Sequence, residues 1–289
     1  MPEVARRPRY RVLRQLAAHG GGLVGMILVG LVVMAGLFAP ALTPYQPDAI
    51  DMDRSLEPPS LEHLLGTDVF GRDVATRLLY GARFSLVVSV LSRLIAIAIG
   101  TLLGLLAGYF GGWLENAIMR LADVTLAYPG LLLLIAVIAA VGPSMAALFI
   151  ALGVVGWAGV ARLVRAQVLS LKEREFVVAI RSLGASHAKI VAQHLLPNCV
   201  TQLIVIFSMG LGAAIMAESS MSFLGLGAQP PTASWGSMIS GGLDYLRVAP
   251  WMSLAPGLVI TVSVLGFNLL GDALRDVLDP KLGTGSGRR

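Results

Sequence analysis

Long apolar runs recur along this chain, and they constrain its fold more than any other feature. Six of them approach the roughly 20 residues that an α-helix needs to cross about 30 Å of hydrocarbon. The runs cover residues 22–42, 85–107, 124–141, 144–163, 200–220 and 251–270. Because 56% of the 289 residues are hydrophobic and 13% are charged, a soluble globule could not bury this much apolar surface. The sequence therefore predicts an all-α polytopic membrane protein with six transmembrane helices.

Basic residues in the short loops set the predicted orientation, since such residues are retained on the cytoplasmic side. Placing both termini in the cytoplasm puts 16 of the 22 Lys and Arg residues there. The predicted divisions are a basic cytoplasmic tail 1–21, a first transmembrane helix 22–42, an extracytoplasmic segment 43–83, a transmembrane core 84–273 and a cytoplasmic tail 274–289. The net charge of +5 then reflects topology and contact with anionic lipid headgroups, and no nucleic-acid partner is expected.

The first run also has features of a cleavable signal peptide. Five Arg residues precede it, and Ala39-Pro40-Ala41 at its end resembles a small-residue cleavage site. The run is longer than the 7 to 15 residues of a typical signal core, so a retained helix is the preferred interpretation.

Segment 43–83 is too polar to enter the membrane, being rich in proline and acidic residues. Asp68, Arg72 and Asp73 are close enough in sequence to pair locally, and apolar residues such as Val69 offer a surface for docking. We therefore expect a small ordered substructure, with a disordered linker as the alternative.

Glycine residues in the second run predict a helix-packing seam. Gly100, Gly104 and Gly108 recur at four-residue spacing, which removes side chains from one helix face and allows close approach of another helix. Similar contacts are expected in the fourth run at Gly153, Gly156 and Gly159, and in the fifth run at Gly210 with Ala214.

Segment 170–198 lies between the fourth and fifth runs and is charged but helix-forming. Gly184 permits a sharp bend between two short helices, and Pro197 suits the first turn of the next helix. An ordered polar loop of this kind indicates a stable partner in the aqueous phase. The segment is therefore expected to present an exposed short helix to a soluble protein that drives movement of the bundle.

Catalytic chemistry has little to build on in this sequence. The four His residues are scattered over both predicted sides of the membrane, and none of the three Lys residues follows a glycine as a phosphate-binding loop requires. A membrane enzyme is therefore not expected.

Polar and sulfur-containing side chains within the runs are the candidates for a solute passage: Arg93, Ser208, Met209, Met216, Glu218 and Ser219. Arg93 either anchors its helix or lines the passage. Glu218 either faces the passage or is solvated at headgroup depth, and the second interpretation is preferred because the neighbouring serines already make the surroundings polar.

Several motifs together resemble one known family. They are Leu65-Gly66-Thr67-Asp68, Phe223-Leu224-Gly225-Leu226-Gly227, Phe267-Asn268-Leu269-Leu270-Gly271-Asp272, and His194-Leu195-Leu196-Pro197-Asn198 after Gly184. In combination these motifs resemble the second permease subunit of ATP-binding-cassette importers for dipeptides, oligopeptides and nickel, and the resemblance covers residues 22–280. Segment 170–198 resembles the cytoplasmic coupling loop, or EAA loop, of that family.

The resemblance implies a type I importer transmembrane domain that works by alternating access in a bacterial inner membrane. The implied partners are a homologous second permease in a heterodimer, two cytoplasmic ATPase subunits that bind ATP and Mg²⁺, an extracytoplasmic solute-binding protein and the lipid bilayer. No cofactor is expected on this chain itself. The implied ATPase-coupling residues are Glu175, Phe176, Ala179, Ile180, Ser182, Leu183, Gly184 and Ala185.

The chain departs from the family pattern at the triplet that names the loop. In the register set by Gly184, Val178 stands where the glutamate of Glu-Ala-Ala is usual, so the carboxylate for a salt bridge from that position is missing. Docking through an apolar face with i, i+3, i+4, i+7 spacing is still expected. That face consists of Phe176, Ala179, Ile180 and Leu183.

The solute stays open between a dipeptide, a longer peptide, a nickel chelate and glutathione. Peptide is preferred, because no His or Met cluster indicates a metal passage. The rival within membrane proteins is an ion-coupled carrier, which would show inverted repeats, broken helices and buried acidic residues near the centres of the spans.

Overall fold

The computed structural model describes the backbone of residues 9–278 and the side chains of residues 13–278. Parts of the predicted tails 1–21 and 274–289 lie outside these residues. The described α-helices are α1 (Arg9–Ala18), α2 (Gly20–Leu37), α3 (Ala39–Leu42), α4 (Val74–Phe110), α5 (Gly112–Ala127), α6 (Gly130–Val141), α7 (Met145–Lys172), α8 (Glu175–Ser182), α9 (His187–Ile190), α10 (Leu196–Phe223), α11 (Trp235–Gly242) and α12 (Trp251–Leu278).

Five helical stretches of the described chain are long and apolar enough to cross a membrane. They are α2, α4, α7, α12 and the continuous stretch His187–Phe223, which includes α10. Each coincides with one predicted run, although the first run continues past the end of α2 into α3, which has a proline in its first turn. The prediction of an all-α membrane protein is confirmed.

The third predicted run, 124–141, is divided by a sharp bend. It covers the end of α5 and all of α6, which are bent by 97° relative to each other. Pro129 disfavours helical backbone at the residue before it, and Tyr128 is extended, with φ −89° and ψ 142°. This pair forms a sixth span only as a broken helix, a feature that apolar composition does not indicate.

α4 and α7 pack along the predicted glycine seam. A Cβ atom added at Gly104 would lie 2.6 Å from the carbonyl oxygen of Ala161, and one added at Gly108 would lie 2.8 Å from Cβ of Val168. The predicted contacts at Gly153 and Gly156 are confirmed, since Cβ atoms added there would lie 2.5 Å from Cγ2 of Ile95 and 3.1 Å from Cβ of Ala96. The prediction for Gly159 is wrong, because nothing lies within 4 Å of a Cβ atom added there. The seam therefore follows one face of each helix.

The second short helix predicted in segment 170–198 is continuous with the fifth span. α9 passes through a π-helical turn, Val191–Leu195, directly into α10. Pro197 lies in the first turn of α10, as predicted. A proline ring clashes with the carbonyl group four residues earlier in an α-helix, and the π-turn lies where that clash would occur.

Segment 43–73 is ordered, as expected, and lies at the end of the bundle opposite α8. We call these the α11 end and the α8 end. Asp68 pairs with Arg72 as predicted, with 2.7 Å between Oδ2 and Nε. Asp73 instead caps the start of α4 and lies 2.9 Å from Nδ1 of the buried His63. α4 consequently begins at Val74, well before the predicted run.

Candidate coupling segment and transport surface

α8 is fixed to the bundle by one buried side chain and one glycine turn. Val177 is completely buried, in a cluster that includes Val168 of α7, Ile190 and Leu195. Gly184 has a φ angle of +78°, in the left-handed region where a side chain would be strained. The predicted bend is thus confirmed, and α8 packs against the end of α7 and against α9.

Most of the predicted coupling residues lie on the exposed side of α8. Leu183 is 86% exposed and Phe176 is 39% exposed. The other exposed members are Glu175, Ala179, Ser182 and Gly184. Ile180 and Ala185 differ, because both pack partly against the cluster beneath α8. The free apolar face is therefore narrower than expected and is formed by Phe176, Ala179 and Leu183.

Val178, at the position of the missing carboxylate, is 48% exposed. Glu175 is exposed one turn earlier in α8. An aqueous partner would therefore meet an apolar side chain where the family pattern has a charge.

Contacts with the end of α4 hold the segments on both sides of α8 in place. Tyr109 Oη lies 2.7 Å from Nδ1 of His187, and the guanidinium carbon of Arg181 lies 5.8 Å from the centre of the Tyr109 ring. The second distance is within cation–π range. Lys172 also donates a hydrogen bond to the carbonyl oxygen of Gly108 at 3.0 Å. Tyr109 and His187 are 78 residues apart, so no local sequence pattern could have indicated the pair.

Glu218 is fully enclosed, and the expectation that it is solvated at headgroup depth is wrong. Its relative exposure is 0%. Its carboxylate accepts hydrogen bonds from the hydroxyls of Ser85 at 2.6 Å, Ser222 at 2.8 Å and Ser219 at 3.4 Å. Ser85 belongs to α4, whereas the other three residues belong to α10. The carboxylate therefore joins two helices and, in this structure, does not lie on the surface of a passage.

Arg93 anchors α4 against α10. Its Nη2 donates a hydrogen bond to the carbonyl oxygen of Ile206 at 2.9 Å. The guanidinium group occupies the space that a side chain at Gly210 would need. Of the two alternatives for Arg93, the structure shows anchoring.

Two open cavities account for three of the remaining candidate passage residues. The larger, of about 1020 Å³, lies between α7, α10 and α12 at the α8 end, and Met209 is on its wall. The smaller, of about 430 Å³, lies toward the α11 end, and its walls include Met216 and Ser219. Ser208 is buried and donates a hydrogen bond to Ile204 of its own helix at 3.0 Å, so it belongs to neither wall.

The sequence matches two family models that together cover most of the chain. Residues 100–284 match the model described as the binding-protein-dependent transport system inner membrane component. Residues 8–59 match the N-terminal transmembrane domain of oligopeptide transport permease C. The chain belongs to the binding-protein-dependent transport permease family.

Three relatives of this permease are similar to it over almost their whole lengths. The dipeptide transport system permease protein DppC of Alkalihalophilus pseudofirmus is 42% identical over 95% of this chain and 90% of its own length. The glutathione transport system permease protein GsiD of Pectobacterium atrosepticum is 44% identical over 94% of this chain and 89% of its own. A putative peptide transport system permease protein of Brucella abortus is 42% identical over 98% of this chain and 95% of its own.

Membership of this family confirms the resemblance seen in the sequence. The permease is a multi-pass membrane subunit of an ABC transporter with the type I importer transmembrane domain, and it is not itself catalytic.

Proposed function

We propose that this permease forms half of the passage of an ATP-driven importer for dipeptides or oligopeptides. The observation that carries the proposal is the full-length similarity to permeases named for dipeptide and for glutathione. Glutathione is itself a tripeptide, so both named solutes contain peptide groups. The cavity of about 1020 Å³ at the α8 end has the volume of a site for a small organic solute.

The proposed partners are a homologous second permease, two ATPase subunits that bind ATP and Mg²⁺, and an extracytoplasmic solute-binding protein. In this proposal the complex lies in the bacterial inner membrane, and the α8 end and both termini face the cytoplasm. Support comes from basic residues near the α8 end, because such residues are retained in the cytoplasm. They include Arg165, Lys172, Arg174, Arg181, Lys189 and Arg275.

In this proposal α8 transmits movement of the ATPase subunits to the bundle. Its exposed apolar face docks in a groove of an ATPase subunit. Val177 fixes α8 to the cluster between α7 and α10, and His187 links the following turn to α4 through Tyr109. Because packed helices shift as rigid bodies, displacement of α8 would move these three spans together and open the passage alternately to each side.

Reconstitution of the complete transporter tests the proposal. The permease, its second permease and the two ATPase subunits are placed in liposomes that contain ATP, with the binding protein and labelled alanyl-alanine outside. We expect accumulation of the dipeptide that requires ATP, the binding protein and this chain. Accumulation by this chain alone, driven by an ion gradient, would instead identify an ion-coupled carrier.

A further inference from the structure

All charged side chains among the described lining residues of the larger cavity, at the α8 end, are positive. Seven polar side chains contribute to its wall, and they come from α7, the link to α8, α10 and α12: Gln167, Ser170, Arg174, Asn198, Thr201, Gln202 and Arg275. Two of the described lining residues are cationic, and none of them is acidic. The described part of the wall is therefore suited to an anion.

Within the described chain, neither of the two arginines of this wall forms an ion pair with a carboxylate. Neither of them has an acidic group within 4.0 Å among the ion pairs of residues 13–278. Asp276, which follows Arg275, lies 3.4 Å from Nε2 of His19 instead.

Other arginines on the neighbouring helix are neutralised. Arg162 and Arg165 of α7 pair with Asp123 and Glu115 of α5, on the side of α7 away from the cavity. Among residues 13–278, the basic groups that face α5 are thus paired, whereas the two arginines of the cavity wall are not.

We propose that this cavity binds the carboxylate group of the transported peptide, with Arg174 and Arg275 as the charged groups and Gln167 and Gln202 as hydrogen-bond donors. The inference rests on the proposed function, because it assigns a peptide as the solute. Every linear peptide has an α-carboxylate whatever its side chains, so a site for this group does not depend on peptide sequence. Arginine is also the side chain whose geometry best matches a carboxylate.

The position of Arg174 connects this site with the coupling segment. Arg174 is the residue from which α8 begins, whereas Arg275 lies near the end of α12. Movement of α8 would therefore change the distance between the two charges. A carboxylate held between them would be released when α8 is displaced, which links solute release to the ATPase cycle.

Charge-selective labelling of the assembled importer in nanodiscs without ATP tests the site. Ser170→Cys, in a Cys199→Ala background, places one reactive thiol on the cavity wall. Relative to a free thiol, we expect an anionic methanethiosulfonate to react about tenfold faster than a cationic one. Arg174→Gln and Arg275→Gln should each reduce this preference. The matched control Arg120→Gln, an exposed arginine of α5 outside the cavity wall, should leave it unchanged.

A second measurement identifies the ligand. Alanyl-alanine should protect the thiol from labelling, and alanyl-alanine amide, which has no carboxylate, should protect about tenfold less well. Equal protection by the two compounds overturns the assignment, as does a charge preference that survives both arginine substitutions. Protection that depends on anionic lipid in the nanodisc and not on peptide also overturns it, and assigns the site to a lipid headgroup.

Uptake of alanyl-alanine by the same complex separates the two hypotheses. Uptake without protection rejects the carboxylate site and leaves the peptide importer intact. If the unsubstituted complex shows neither uptake of alanyl-alanine nor protection by it, the proposed function is rejected together with the site.

Discussion

At the scale of single residues, Glu218 shows how a carboxylate is accommodated inside a membrane bundle. Removing a charged or polar group from water is costly unless hydrogen bonds replace the lost solvent. Three serine hydroxyls supply those bonds, and one of them, from Ser85, comes from a different helix. We therefore interpret Glu218 as a structural link between α4 and α10 and not as part of the passage wall.

Glu218→Ala tests this interpretation through stability. The substitution removes the acceptor of three buried hydroxyls and leaves a cavity, so we expect the free energy of unfolding to fall by about 2–4 kcal/mol. Glu218→Gln keeps the shape and one acceptor oxygen and should cost less. Thermal unfolding of the purified transporter measures both effects.

Ser220→Ala is the matched control, because the Ser220 hydroxyl bonds only to the Met216 carbonyl of its own helix. Its stability should equal that of the unsubstituted protein. A Glu218→Ala variant with unchanged stability but altered peptide uptake would return Glu218 to the passage.

At the scale of helices, glycine residues allow the backbones of α4 and α7 to approach closely. Small residues allow helices in a membrane to gain van der Waals contact where no hydrophobic effect drives them together. The seam at Gly104 and Gly108 provides that contact, and Arg93 and Ser85 add polar links from α4 to α10. α4 is therefore linked to α7 by close packing and to α10 by polar contacts.

Gly104→Ala should weaken the α4–α7 seam. The new methyl group would lie 2.6 Å from a backbone oxygen of α7, so the helices must separate, at a cost of about 1–3 kcal/mol. Gly159→Ala is the control on α7, since it meets nothing within 4 Å and alanine favours a helix. Thermal unfolding measures the difference between the two variants. Equal melting temperatures would contradict close packing of α4 and α7 at the seam.

Tyr109→Phe tests the contact between α4 and the turn after α8. The ring stays in place beside Arg181, but the hydrogen bond to His187 is lost, at about 1 kcal/mol. We expect normal assembly with about fivefold less peptide transported per ATP hydrolysed. Tyr128→Phe, at a 60% exposed position of the α5–α6 bend, serves as the control. Equal transport ratios for the two variants would show that this contact does not couple the helices.

At the scale of the whole molecule, transport requires a surface that is rigidly attached and yet exposed. α8 meets both conditions, because Val177 is buried while Leu183 is 86% exposed. The fold of the permease does not need Leu183, and the proposed complex with an ATPase subunit does.

Leu183→Asp should therefore leave the permease folded and inserted but abolish its association with the ATPase subunits. A charge placed in an apolar groove costs several kcal/mol, enough to reduce binding by at least about a hundredfold. Co-purification with a tagged ATPase subunit measures the loss. Leu61→Asp, at a 97% exposed position near the α11 end, is the control. Normal co-purification and uptake by the Leu183 variant would refute docking through α8.

Gly184→Pro should also impair coupling to the ATPase subunits and therefore peptide uptake, but through the backbone and not through an apolar contact. The φ angle of +78° at this position is inaccessible to proline, whose ring fixes φ near −65°. Since nothing lies within 4 Å of a Cβ atom added at Gly184, the expected effect arises from the backbone turn and not from a steric clash. Unchanged peptide uptake by this variant would show that the turn is dispensable.

The sequence by itself determined the features that depend on local composition and spacing. Apolar runs of membrane length fixed the helical class, the spacing of Gly100, Gly104 and Gly108 predicted the seam, and Gly184 predicted the bend. The combined motifs identified the family. These features follow from the solvent and from backbone geometry, which act on each segment separately.

Only the tertiary structure decided which distant residues meet. It placed Ser85 against Glu218, Tyr109 against His187, and Arg174 and Arg275 on one cavity wall. Each contact depends on how two helices that are remote in sequence are rotated and positioned relative to each other. A single sequence does not specify that relative placement. Burial of a polar side chain is likewise a property of its neighbours, and for that reason the environment of Glu218 could not be derived from the residues beside it.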